Sequence, residues 1–137
     1  MGRFGTLNKA KLIKGFQLVQ EWTPTIKCET REGFVRVPAL TASTSGAEFQ
    51  FEFVGTGVGL MIGAGPDTGI LEFSIDGGPM RKVDTFTKWS QGLYLPWALM
   101  LADDLKHGKH AVSVQISRAR NSKSVGTALH VFQLLEN

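Results

Sequence analysis

Cysteine is nearly absent. Cys28 is the single one, which excludes an internal disulfide and any zinc site built from several thiolates. Far from any histidine in the chain, it reads as a half-buried thiol near a strand start rather than a nucleophile. Histidine is scarce too, with only His107, His110 and His130. No apolar run approaches the roughly 20 residues of a membrane-spanning helix. The N-terminal MGRFGTLNKAKLIKG lacks the continuous apolar stretch of a secretory signal. The expectation is a chain that is soluble as written and has no membrane partner. Its compartment stays open, because an export signal on a preceding segment would leave no trace here. Charge of one sign is also missing. The net charge is +3, and the basic residues before Val37 are interrupted by Glu21, Glu29 and Glu32. Without a basic stripe or a reading motif, no nucleic-acid partner is expected.

What is present is turn chemistry and alternation. The 137 residues suit one domain, and 16 glycines with nine phenylalanines suit a turn-rich β protein. Phe16 to Trp22 alternates until Pro24 stops it. Phe34 to Val37 runs toward Leu40, with Pro38 marking an edge or a sheet end. Glu48 to Val54, EFQFEFV, sets Phe49, Phe51 and Phe53 on one face and Glu48, Gln50 and Glu52 on the other. Val58 to Ile62 is apolar throughout. Gly69 to Ile75 alternates into the turn Asp76-Gly77-Gly78-Pro79, and a shorter strand then ends at Asp84, which is a hairpin signal. Pro96 to Leu105 is the best helical window, but it is short and reads equally as strand and turn. Ala111 to Ser117 and Thr127 to Leu135 close the chain, with Arg118 to Gly126 between them as an exposed loop. About eight or nine strands without a substantial helix predict an all-β fold, a two-sheet antiparallel β-sandwich. Its core is expected to hold Phe49, Phe51, Phe53, Leu71, Phe73, Ile75, Val112, Val114 and Ile116.

Reactive motifs are missing from this frame. Gly55, Gly57, Gly59, Gly63 and Gly65 do not have dinucleotide-fingerprint spacing, and no helix follows them, so they suit close sheet packing or a bulge. His107 and His110 flank a turn, and His130 falls in an alternating strand, where it suits the outer face. No metal site, no cofactor and no catalytic residue is expected from these patterns. No serine sits in a nucleophile elbow. Asp67 and Asp76 hold turn positions that favour Asp for backbone reasons alone. The chain is therefore expected not to be an enzyme.

The informative segment runs from Gly65 to Trp97. Phe86, Trp89, Tyr94 and Trp97 crowd a stretch that also contains Asp84, Lys88, Ser90 and Gln91. Rings set among hydrogen-bonding side chains suit a sugar-like ligand or a protein partner. As a carbohydrate-binding site, Trp89, Tyr94 and Trp97 would stack on sugar faces, and Asp67, Asp84, Lys88 and Gln91 would hold hydroxyls. At least two of the three rings are expected to be exposed. As a docking face, the same rings would be covered by a neighbouring domain.

These residues also resemble a family. The GVGL strand at Gly57 to Leu60, the GPDTGILEFSIDGG hairpin at Gly65 to Gly78, the WSQGLYLPW loop at Trp89 to Trp97 and the LKHGKH strand at Leu105 to His110 occur in this order. Together they resemble the non-catalytic β-sandwich module that accompanies the catalytic domain of some bacterial SGNH (GDSL-type) hydrolases. The resemblance covers about residues 30 to 137. It implies a jelly-roll sandwich over 16–137, with 1–15 as a tail from a preceding domain, and a covalently linked hydrolase domain in the parent. The implied function is an accessory module of a carbohydrate-active esterase that binds a polysaccharide or oligosaccharide. The alternative it leaves open is a structural module that packs on the catalytic domain without touching glycan. The Gly-Asp-Ser-Leu nucleophile block of those hydrolases is absent from this chain.

Overall fold

The computed structural model describes residues 3–5, 7–23, 29–30, 37–88, 90 and 92–137. Cys28, Phe34, Trp89 and Gln91 lie outside the described residues. The strands are β1 (Arg3–Gly5), β2 (Lys11–Lys14), β3 (Gln17–Trp22), β4 (Glu29–Thr30), β5 (Val37–Ala42), β6 (Glu48–Gly55), β7 (Val58–Ala64), β8 (Ile70–Ile75), β9 (Arg81–Asp84), β10 (Leu93–Ala102), β11 (Gly108–Ile116) and β12 (Leu129–Glu136). One short 3-10 turn, Leu7–Lys9, accompanies them. A seven-stranded sheet runs β3-β5-β12-β7-β10-β4, with β1 also on β12, and a five-stranded sheet runs β2-β6-β11-β8-β9. From β5 to β12 the chain crosses between the sheets at every step except the β8–β9 hairpin, giving β5-β12-β7-β10 against β6-β11-β8-β9. That is the connectivity of a jelly roll, and it agrees with the sandwich read from the sequence. Among the described residues all pairings are antiparallel except β4 on β10 and a bridge from Thr68 to Ala128.

Alternation places the core. β6 buries Phe49, Phe51 and Phe53 and turns Gln50, Glu52 and Val54 outward. The rings meet Leu71 and Phe73 of β8, Val112, Val114 and Ile116 of β11, and from the facing sheet Leu60, Ile62, Leu129, Val131 and Leu134. Every expected core residue is buried except Ile75, which packs against the cluster half-exposed. Phe16 closes one end edge-on to Phe49, with ring centroids 4.9 Å apart.

Several expectations change. Within residues 1–15, β1 pairs with β12, β2 pairs with β6, and Leu7 is buried. Both strands are too short and too basic to show an alternation signal. The Pro96–Leu105 window is strand, not helix, through Ala102. Pro96 is tolerated because beyond Tyr94 the only strand hydrogen-bonded to β10 is β7, among the described residues. Pro38 sits where the β3–β5 register shifts, beyond the last β12 partner, Leu40. Among the described residues the count rises to twelve strands, because β1, β2 and β4, each of four residues or fewer, give no alternation signal in the sequence.

Phe51 is 3% exposed. Phe51→Ala should therefore cost about 3–5 kcal/mol, read as a lower urea midpoint at unchanged slope. A cost below about 1 kcal/mol would mean that the ring is not a core member.

Candidate functional site

Three loops meet at one end of the sandwich: Gly65–Gly69 between β7 and β8, the β9–β10 loop after Asp84, and Ser117–Ala128 between β11 and β12. Buried hydroxyls tie them together. The Thr85 hydroxyl donates to the Gly69 carbonyl at 2.6 Å, and the Ser124 hydroxyl donates to the Thr68 carbonyl at 2.8 Å. The Thr68 hydroxyl donates back to the Gly65 carbonyl at 2.9 Å. Backbone bonds from Val125 to Pro66, Gly69 to Ala128 and Ala128 to Asp67 complete the joint. Ser124 thus anchors a loop that had been expected to be wholly exposed. Each buried hydroxyl has its partner, so this polar end carries no desolvation penalty.

Beside this joint, on the outer face of the seven-stranded sheet, lies a second and smaller cluster of Trp22, Ala39, Tyr94 and Phe132. Trp22 meets Tyr94 edge-on at 5.4 Å and Phe132 at 5.2 Å. Glycine is required at position 65, because a Cβ there would overlap the Tyr94 ring. The Tyr94 hydroxyl donates to the Asp67 carboxylate at 2.6 Å. His130 Nε2 lies 3.2 and 3.3 Å from the two carboxylate oxygens, and Nδ1 is 2.8 Å from the Thr41 hydroxyl. The His130 side chain is 7% exposed and that of Asp67 14%. An open groove of about 480 Å³ runs over this network, with Gln17, Glu21, Trp22, Thr41, Asp67 and His130 along it.

Burial would raise the Asp67 carboxyl. The hydrogen bond and charge of His130, with the Tyr94 hydroxyl, outweigh it and hold the group below its ordinary value.

Of the residues singled out in the sequence, Asp67 and Tyr94 are brought together. Tyr94 is 3% exposed; the expectation of an open ring fails for it, because the ring fills the space left by Gly65 and its hydroxyl is satisfied by Asp67. Trp97 points the other way and packs half-buried on the main core. Asp84 lies at the same loop end as Asp67 but on other partners, accepting from the Phe86 amide at 2.9 Å and from Asn121 at 2.8 Å. Lys88 is exposed on the β9–β10 loop. Trp89 and Gln91 lie outside the described residues. Sequence reasoning missed Trp22, Thr41 and the role of His130. The outer-face position of His130 between core residues Leu129 and Val131 was legible, its partners were not.

No family model and no curated protein matches the chain. Solved structures do. A two-domain esterase (CEX) active on acetylated mannans, co-crystallized with mannopentaose, superposes with a TM-score of 0.70 at 12% identity, over 98% of this chain and 36% of the esterase chain. A family two carbohydrate esterase from Cellvibrio japonicus gives 0.57 at 15%, over 99% and 34%. An exo-β-1,3-galactanase from Phanerochaete chrysosporium gives 0.59 at 17%, over 98% and 29%. The likeness is one of fold. This chain spans about a third of the length of each of those proteins.

Two measurements check the network. Tyr94→Phe removes one hydrogen bond to a charged acceptor and should cost about 1.5–3 kcal/mol; a neutral result would mean that water replaces the hydroxyl. A depressed folded pKa gives Asp67 a stabilising contribution that is present above the ordinary carboxyl range, about pH 4, and is lost as pH falls through the folded value. Asp67→Asn should therefore flatten the acid limb of the stability-versus-pH curve. An unchanged limb would assign acid lability to other carboxylates.

Proposed function

We propose that this chain is a non-catalytic accessory module of a larger carbohydrate-active esterase of SGNH type, and that it holds a polysaccharide at its loop end. The observation that carries the reading is the coverage. Nearly all of this chain superposes on about a third of two carbohydrate esterases and a galactanase, which is the relation of an added domain to multi-domain enzymes. The groove of Gln17, Glu21, Thr41, Asp67 and His130 offers both donors and acceptors beside the Trp22 ring, as a polyhydroxylated ligand requires. Asp84 and Lys88 extend that end as further hydroxyl contacts; Trp89 and Gln91, expected from the sequence to join them, lie outside the described residues.

The non-catalytic part of the reading is supported by the surroundings of Thr41. Asp67, His130 and Thr41 have the order of a carboxylate–imidazole–hydroxyl relay. Thr41, however, lies inside β5, opposite Gln17 of β3 on one side and His130 of β12 on the other. The amides flanking Thr41 lie in strand ladders on both sides, which argues against a backbone oxyanion hole at its hydroxyl among the described residues.

Affinity electrophoresis through acetylated mannan, xylan and β-1,3-galactan tests the binding claim. At least one polysaccharide should retard the chain, and Gln17→Ala/Glu21→Ala, on the exposed rim, should weaken retention about tenfold without moving Tm. The purified chain should not hydrolyse 4-nitrophenyl acetate above buffer. Turnover that Thr41→Val abolishes would overturn the non-catalytic reading. No retention on any glycan, with tight binding to a separately supplied esterase domain, would favour a docking role instead.

A further inference from the structure

The outer face of the five-stranded sheet carries a second surface with its own order. Strand register sets four side chains directly opposite one another across four strands: Lys11 of β2 faces Gln50 of β6, Gln50 faces Ser113 of β11, and Ser113 faces Ser74 of β8. This row runs perpendicular to the strands. It forms the floor of an open trough of about 550 Å³, whose lining also includes Ala111, Gly77 and Glu52. The floor is low because serine and alanine occupy β11 and β8. A parallel row, Glu48–Gln115–Glu72–Lys82, makes one wall. That wall is held upright by Gln115 donating to Glu72 at 2.9 Å and by the Lys82–Glu72 ion pair at 3.3 Å. Across the trough, Glu52 is paired to Lys109 at 3.2 Å.

The chemistry of the occupant follows from this arrangement. Acids and bases interleave and neutralise one another, so the face selects neither a polyanion nor a polycation. The exposed Leu12 and Ile13 belong to the edge strand β2, and the floor offers hydroxyl, amide and ammonium groups in their place. The side chains of Lys11 and Ser74 have no hydrogen-bond partner among the described residues, while Gln50 and Ser113 each donate to Glu48 at 3.0 Å. Strands repeat every 4.8 Å or so, close to the rise of one sugar unit along an extended β-1,4-linked chain. We propose that this trough binds a neutral, extended β-1,4-linked glycan lying across the strands, one sugar unit over each of β2, β6, β11 and β8. The inference rests on the carbohydrate-binding reading and adds a surface remote from the loop end, suited to the middle of a chain. Side chains from four successive strands each contact one unit, so affinity accumulates with chain length until the row is filled.

Titration calorimetry of the full chain with mannan-derived and cello-oligosaccharides of increasing length tests it. Affinity should climb up to about four units, the number of strands in the row at that spacing, and then level off. It should survive raised salt, because no counterions are released. Ser113→Arg, which fills the trough, should weaken binding at least tenfold. Gln50→Ala, exposed and without steric consequence, should weaken it several-fold at unchanged Tm. Gln17→Ala/Glu21→Ala should leave these oligosaccharides unaffected. Wild-type affinity in both trough variants, with loss in the Gln17/Glu21 variant, would overturn the trough and leave the loop-end site standing. Loss in the trough variants alone is the expected result for oligosaccharides, and the loop-end site is then read separately from polysaccharide retention of the Gln17/Glu21 variant. Absence of binding to every oligosaccharide would overturn the inference, and polysaccharide retention would then decide the broader reading separately.

Discussion

Burial of the β6 phenylalanines against the facing sheet is the constraint on which the rest of the structure depends. A strand has period two, so turning Phe49, Phe51 and Phe53 inward leaves Gln50, Glu52 and Val54 no choice but to face solvent. The same contact locks register. A slip of one residue between β6 and β11 would expose three rings together with Val112 and Val114, at a cost no surface contact offsets. Core and outer face are therefore one fact seen from two sides. Because the rings fix β6 against β11, and β11 against β8, the outward side chains line up in rows that local propensity alone would not produce.

The two faces of the sandwich solve different problems. Among the described residues the five-stranded sheet is covered on one side only, and its outer residues are mostly polar, with Leu12, Ile13 and Val54 as exposed apolar exceptions. The seven-stranded sheet adds an apolar cluster on its outer side, around Trp22, Tyr94 and Phe132. Burying Tyr94 there required a partner for its hydroxyl, and Asp67 supplies one. Burying Asp67 in turn required a cationic or donor neighbour, which is His130, oriented from its other nitrogen by Thr41. Each polar group exists to satisfy the one before it, and the chain ends at a groove where Asp67 and Thr41 still meet solvent. Such a network is rigid by construction, and rigidity at a binding surface lowers the ordering cost of association.

Legibility in the sequence followed the strength of alternation. β6, β8 and β11 were readable because large apolar and polar side chains alternate without interruption, and their core members were named correctly with Ile75 as a partial exception. β1 and β2 were not readable. Strands as short as Arg3–Gly5 and Lys11–Lys14 carry no alternation of their own, all four side chains of Lys11–Lys14 are exposed, and the two strands pair with the open edges of β12 and β6. β10 was ambiguous because Trp97, Leu101 and Leu105 also fit a helical stripe, and only pairing with β7 decides it. At the candidate site the sequence put Asp67 and Tyr94 on one list by composition. The reason they belong together, a glycine at position 65 that leaves room for the ring, is a three-dimensional fact. The same holds for the trough: Lys11, Gln50, Ser113 and Ser74 are scattered over the chain, and nothing but register makes them a row.

The two proposed surfaces, on one module, would have a consequence that neither has alone. A polysaccharide long enough to reach both converts the second contact into an intramolecular event, and avidity then grows by the effective concentration rather than by any new hydrogen bond. A chain held across the strands by its middle would be presented to the loop end without being anchored by its terminus. For a module tethered to a hydrolase, that mode is useful because weak individual contacts release quickly, so the enzyme is kept near its substrate without being fixed to one position on it. Shallow, neutral, hydroxyl-lined surfaces are suited to this task, and deep aromatic clamps are not. The burial of Tyr94 and the inward turn of Trp97 accord with that division of labour. These rings stabilise the scaffold, and in the proposed reading the polar side chains around them meet the ligand.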